Sequence, residues 1–215
     1  MTKLKYALLA LILTGTLLAC NSTTMRIMAT WMAPDLPPPA PGKHKIFIMV
    51  MTQNYEMQVH LENDLADAAK AKGINTLMSI YTFGPIISGD KLPKKEAILQ
   101  AIRDQGCDAI FTSALVDQKS DTRYVPATSS GVYTPYAGYG YYYSGYYAYS
   151  PQFYTPGYYT TDDTYFVESN LFDAKSEKML MSMQSKLENP SDIQKASKQY
   201  TQMLVAELQS HGYMK

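Results

Sequence analysis

Few side chains in this 215-residue chain have the type and spacing to do chemistry. Cys20 and Cys107 are the candidate nucleophiles, and His44, His60 and His211 are the candidate bases and metal ligands. No two histidines share the H-x-x-x-H spacing that aims two imidazoles at one ion. Serines are plentiful, yet no G-x-S-x-G elbow presents one of them as a nucleophile. The stretch "GYGYYYSG" has the glycines of a phosphate loop but lacks its Lys-Ser/Thr ending and a following helix. Asp162-Asp163 supplies two acids where a calcium loop needs more oxygen ligands, and it reads as a polar strand start. These patterns argue against an enzyme, and no cofactor or metal is expected.

Cys20 has a different context. The chain opens MTKLKYALLALILTGTLLAC, with Lys3 and Lys5 before an apolar stretch of 13 residues, Tyr6 to Leu18. A membrane-spanning helix needs roughly 20 apolar residues, so this run fits the h-region of a secretory signal. Leu17-Leu18-Ala19-Cys20 resembles the bacterial lipoprotein cleavage motif, with small Ala19 before the cysteine and Leu18 a mild departure. The resemblance implies diacylglycerol on the Cys20 sulfur, cleavage before it, and a third acyl chain on the new amine. One acyl chain binds a membrane only marginally, whereas two or more anchor stably. Asn21 replaces the Asp associated with inner-membrane retention, and no acidic run follows. The expected location is therefore the periplasmic face of the outer membrane.

Loss of residues 1–19 leaves 196 residues, enough for one domain with its own core. Lys3 and Lys5 leave with the signal, so 17 basic side chains face 19 acidic ones. This near-neutral balance has no electrostatic footprint for nucleic acid. With Cys20 lipidated, Cys107 has no disulfide partner and reads as a small buried thiol at a helix-to-strand junction.

The elements that would position these residues follow in order. Residues 20–44 read as a lipidated tether whose "APDLPPPAPGK" favours extended polyproline conformation. Trp31, the only tryptophan, sits in it and could dock on the domain, on lipid headgroups or on nothing. "KIFIMVMT" reads as a strand covered on both faces. Asn54 caps a helix to about Lys72, with Met57, Leu61, Leu65 and Ala68 inward and Gly73 ending it. A strand "INTLMSIYTF" and the loop "GPIISGDK" precede a helix from Pro93 with Ala97, Ile98, Ala101 and Ile102 inward. "DAIFTSALVD" is the third strand. After a long insertion comes a hairpin, Thr164 to Phe172 and Met179 to Leu187, the second strand with one wet face of Ser182, Gln184 and Lys186. A last helix opens at Asn189–Asp192, with Ile193, Ala196, Tyr200, Leu204 and Leu208 inward. The product is an α/β fold, with an α+β variant as the alternative. It has one mixed sheet of about five strands in the order βαβαβ-insert-ββα, and a single domain over 45–125 and 162–215.

The insertion, residues 126–161, contains no Asp, Glu, Lys or Arg, and Tyr133 to Tyr159 holds 12 tyrosines in 27 residues. Tyrosine gives a large, stiff contact surface with a hydrogen-bonding tip. Tyr139, Tyr141, Tyr142, Tyr143, Tyr146 and Tyr147, together with Trp31, are the candidate partner contacts. An envelope protein, a glycan such as peptidoglycan and the membrane interface all suit such rings. A surplus low-complexity loop is the bland alternative.

"ATWMAP", "KIFIMVMTQN", "DLADAAKAKG", "CDAIFTSALVDQKSDTRYVP" and "ESNLFDAKSEKMLMSMQS" together resemble a family of uncharacterised Gram-negative outer-membrane lipoproteins. The matching positions are Thr30, Trp31 and Pro34, then Asp108, Ala109 and Thr122 to Pro126. More distantly, the strand-helix order resembles the amino-terminal α/β domain of the Tol propeller protein and the curli secretion lipoprotein. These resemblances imply a non-enzymatic module of envelope assembly or interaction, anchored through acyl chains on Cys20. The alternatives are a glycan-binding module using the insert and an enzyme of unrecognised type.

Overall fold

The computed structural model describes residues 24–34, 44–85, 93–120, 163–190 and 192–212. Among them, six strands form one mixed sheet: β1 (Thr24–Met32), β2 (Lys45–Met51), β3 (Asn75–Met78), β4 (Ala109–Ser120), β5 (Asp163–Asp173) and β6 (Met179–Glu188). Four helices accompany them: α1 (Tyr55–Ala71), α2 (Ser79–Phe83), α3 (Lys95–Asp104) and α4 (Ile193–Ser210). The strand order is β1-β6-β5-β4-β2-β3. β2 runs parallel to β3 and β4, and the remaining pairs are antiparallel.

The α/β expectation holds, and the strand count rises from five to six. The additional strand, β1, lies within the segment read as a tether, and it pairs along its length with β6. The prolines that signalled an extended spacer begin only at Pro34. The residues before them, "TMRIMATWM", alternate exposed and half-buried over their first half, as a one-sided edge strand does.

The local signals explain the parallel half. Asn54 accepts a hydrogen bond from the Met57 nitrogen at the start of α1, and Asp192 does the same for Lys195 at the start of α4. Gly73 and Gly106 end α1 and α3 at positive φ (75° and 63°). In each case the next residue donates five positions back, Ile74 to Ala69 and Cys107 to Ile102. From β2 the chain travels outward to β3, then back past β2 to β4. Crossovers of constant hand place the two connecting helices on opposite faces when the direction of travel reverses.

Two cores result. On one face, Ile98, Leu99 and Ile102 of α3 pack with Phe47, Met49, Ile110 and Phe172. On the other, Leu61 and Leu65 of α1 and Tyr200 and Leu204 of α4 pack with Ile48, Val50, Phe111, Met181 and Met183. The α3 stripe is thus Ile98, Leu99 and Ile102, with Ala97 exposed rather than inward. Along α1 the buried set includes Gln58 and Glu62 beside Leu61 and Leu65, while Met57 is only half-buried.

The third predicted element is corrected. "INTLMSIYTF" is a strand only through Met78 and then turns into α2. The reason is Glu62, which is fully buried. Its Oε1 accepts from Val50 N (3.0 Å), Ser79 Oγ (2.5 Å) and Gln58 Nε2 (3.3 Å), and its Oε2 accepts from Ile80 N (2.9 Å). The last β2–β3 pair is Ile48 with Met78, so the carboxylate takes the donor beyond the end of that ladder and a free donor of the new helix.

Candidate functional site

The register of the antiparallel half aligns polar side chains across four strands. Trp31 of β1 stands opposite Ser182 of β6, Ser182 opposite Asn170 of β5, and Asn170 opposite Thr112 of β4. One step along the strands, Ala29, Gln184, Glu168 and Ala114 form a second row. Side chains two apart share a face, so Thr112, Glu168, Asn170, Ser182 and Gln184 share the α3 side of the sheet with Trp31. Trp31 is half-buried against the cluster that contains Phe47 and Phe172.

Thr112, Glu168, Asn170 and Ser182 are each 0% exposed, so of the face expected to be wet Ser182 is buried while Gln184 and Lys186 are half-buried. Asn170 Nδ2 donates to Glu168 Oε1 at 2.8 Å. Burial pushes the Glu168 carboxyl up to about 7, with the Asn170 hydrogen bond acting against the shift. Among the described residues, Thr112 Oγ1, Asn170 Oδ1, Ser182 Oγ and Gln184 Nε2 have no hydrogen-bond partner. Buried polar atoms are normally satisfied.

The opposite face carries a second polar group. The Tyr200 hydroxyl is hydrogen-bonded to Ser169, with Ser113 and Ser185 beside it. Burial raises the tyrosine above its ordinary range, so it is a neutral hydrogen-bonding group in the α4–sheet core.

No nucleophile in either group is joined to a base. The three histidines are dispersed, each beside its own acid: His44 with Asp108 (2.9 Å), His60 with Glu56 (3.9 Å) and His211 with Glu207 (3.2 Å). Cys107 is half-buried at the margin of the α3 core, and burial pushes its thiol up despite the nearby charge of Lys45. Among the described residues no three His, Cys, Asp or Glu side chains gather where they could hold a metal ion.

Of the lipidation and partner-contact residues singled out by sequence, Trp31 alone lies in the described structure, and it docks on the domain. Cys20, Tyr139, Tyr141, Tyr142, Tyr143, Tyr146 and Tyr147 lie outside the described residues, as does the loop at 86–92. Glu168 and Asn170 escaped the sequence reading, and Ser182, expected on a wet face, is buried. The signal that could have found them is the polar run Glu168-Ser169-Asn170 within a strand flanked by apolar residues on both sides.

The fold and these two buried polar groups define an α/β domain with a six-stranded mixed sheet covered by helices on both faces. No protein-family model matches the chain, and no curated protein matches it. Among solved structures, the chain is similar to a PelC dodecamer from Paraburkholderia phytofirmans at 12% identity, covering 83% of this chain and 91% of that one with a TM-score of 0.41. A single-substitution form of the same PelC gives 12% identity, 85% and 96% coverage and a TM-score of 0.44. Lipoprotein GNA1162 from Neisseria meningitidis is similar at 14% identity, 78% and 96% coverage and a TM-score of 0.37. At these scores the likenesses carry no functional argument.

Proposed function

We propose that this chain is a lipoprotein held on the periplasmic face of the outer membrane by acyl groups on Cys20, serving as a non-enzymatic module of envelope assembly or interaction. One observation carries the reading: the Leu17-Leu18-Ala19-Cys20 motif ends an apolar run too short to span a bilayer and stands four residues before the sheet begins at Thr24. No helix among the described residues is long and apolar enough to cross a membrane. The resemblance to uncharacterised Gram-negative lipoproteins supports the same assignment. A non-enzymatic role is favoured by histidines that are each held to a separate acid rather than gathered around one reacting atom.

The test is a Cys20→Ala variant expressed beside the wild-type chain in a Gram-negative host. The wild type is expected in the outer-membrane fraction, cleaved before Cys20 and carrying the mass of three acyl chains. Cys20→Ala is expected to retain residues 1–19 and no acyl mass. A wild-type chain without acyl mass overturns the proposal.

A further inference from the structure

Thr24 is the first residue of β1, so only Asn21, Ser22 and Thr23 separate it from Cys20. Four Cα steps at full extension reach about 14 Å. That is less than half the length of the sheet, since β5 has 11 residues and spans roughly 35 Å at about 3.3 Å per residue. The register fixes which end is held. Thr24 pairs with Glu188, Glu188 with Thr164, and Thr164 with Lys119, so the starts of β1 and β5 and the ends of β6 and β4 form one rim. The β5–β6 turn, with exposed Lys175, lies at the opposite end.

We infer that the domain stands on the bilayer by the Thr24–Glu188–Thr164–Lys119 rim, with the β5–β6 turn pointing away from the membrane. The inference rests on acylation of Cys20 as proposed above. The partner surface is the phospholipid headgroup layer. The rim suits it: Arg26, Lys119, Lys186, Asp163 and Glu188 cluster there in mixed charge, with Lys186 paired to Glu188 and Lys119 stacked over the Phe166 ring. Mixed cations and anions complement zwitterionic headgroups, whereas an apolar rim would call for insertion. Ser120 and Asp163, which flank residues 121–162 in the chain, pair at the same rim.

The experiment uses the mature acylated protein in vesicles of phosphatidylethanolamine and phosphatidylglycerol that contain a nitroxide-headgroup lipid. A fluorophore is placed on Lys119→Cys or on Lys175→Cys, each in a Cys107→Ala background. Quenching is expected to be at least threefold greater at position 119. Equal quenching, or greater quenching at 175, overturns the inference. A 20-residue Gly-Ser spacer after Cys20, with a mean reach of about 25 Å, is expected to bring the ratio near one. A ratio that survives the spacer upholds the orientation and assigns it to the rim's own charges rather than to the short link. Intact-protein mass separates the two levels. Acylated protein with equal quenching removes the orientation alone, and protein without acyl mass removes the anchor on which it rests.

Discussion

The backbone nitrogen of Val50 lies 3.0 Å from Glu62 Oε1, so a side chain of α1 takes a β2 donor beyond the last β2–β3 pair. The same carboxylate accepts from Ser79 and Ile80 and so supports both the end of β3 and the start of α2. It is used purely as an acceptor. In Glu62→Gln one acceptor oxygen becomes an NH2 that must face Ile80 N–H or, if flipped, the Val50 and Ser79 donors. A buried unsatisfied donor costs about 1–3 kcal/mol, and Glu62→Gln is expected to lose about that much in urea unfolding. Glu62→Ala removes the acceptor of both the Val50 and Ile80 backbone donors and is expected to lose more. Wild-type stability in Glu62→Gln would show that the carboxylate does not hold this junction.

That junction also marks where sequence reading reaches its limit. Periodicity and caps located α1, α3, α4 and both hairpin strands to within a few residues, because Asn54, Gly73, Gly106 and Asp192 act through local backbone geometry. The end of β3 was not legible, because "SIYTF" is apolar enough for a strand and the group that redirects it comes from α1, 17 residues earlier in the chain. β1 was missed for a similar reason. Its partner, β6, is 149 to 164 residues away along the ladder (Met32 with Met181, Thr24 with Glu188), and proline-rich sequence next to it masked a short amphipathic strand. Glu168, Asn170 and Ser182 look like surface residues in isolation, and only the register that sets β5 beside β6 places them together on one buried face.

Glu168 makes stability depend on pH with a definite sign. Its carboxyl titrates near 7 in the folded chain and, at the ordinary carboxyl value of 4.5, in the unfolded one. The folded state therefore holds the proton more tightly. The contribution is complete below about pH 4.5 and is lost as pH rises through 7, a change of about 3 kcal/mol. Glu168→Gln keeps an acceptor for Asn170 and cannot ionise. The stability difference between Glu168→Gln and wild type is expected to grow in the variant's favour from pH 4.5 to 8 and to level off above that. Glu62, whose shift has the same direction, is common to both proteins and cancels in the difference. A difference that does not vary with pH would show that Glu168 titrates in the ordinary range.

β1 is fastened to α4 as well as to β6. The Thr30 hydroxyl donates to Glu207 Oε1 at 2.6 Å, tying the edge strand to a helix 177 positions away. Hydrogen bonds to charged groups contribute about 1.5–3 kcal/mol, and this one is only part-buried. Thr30→Val preserves shape and removes the donor, and is expected to cost about 1 kcal/mol. The loss should appear first as faster amide exchange in β1. Unchanged exchange throughout β1 would separate the strand's stability from the α4 contact.

Trp31 distinguishes a docked strand from a free tether, and as the only tryptophan it reports its own environment. Its ring is half-buried beside the α3-side core, at the end of the row formed with Ser182, Asn170 and Thr112. A tryptophan in a solvated tether would emit at the same wavelength before and after unfolding. The docked ring is expected to emit to the blue in the native protein and to shift red at the urea midpoint seen by circular dichroism. Truncating a fully buried tryptophan costs about 3–5 kcal/mol; for a half-buried ring, Trp31→Ala is expected to cost about 2 kcal/mol. The same variant should speed proteolysis within residues 24–34, because β1 is an edge strand that loses its largest side chain. If the native spectrum matches the unfolded one, or if Trp31→Ala unfolds at the wild-type midpoint, β1 is not part of the folded sheet. The short link from Cys20 to the rim would then lose its fixed point as well.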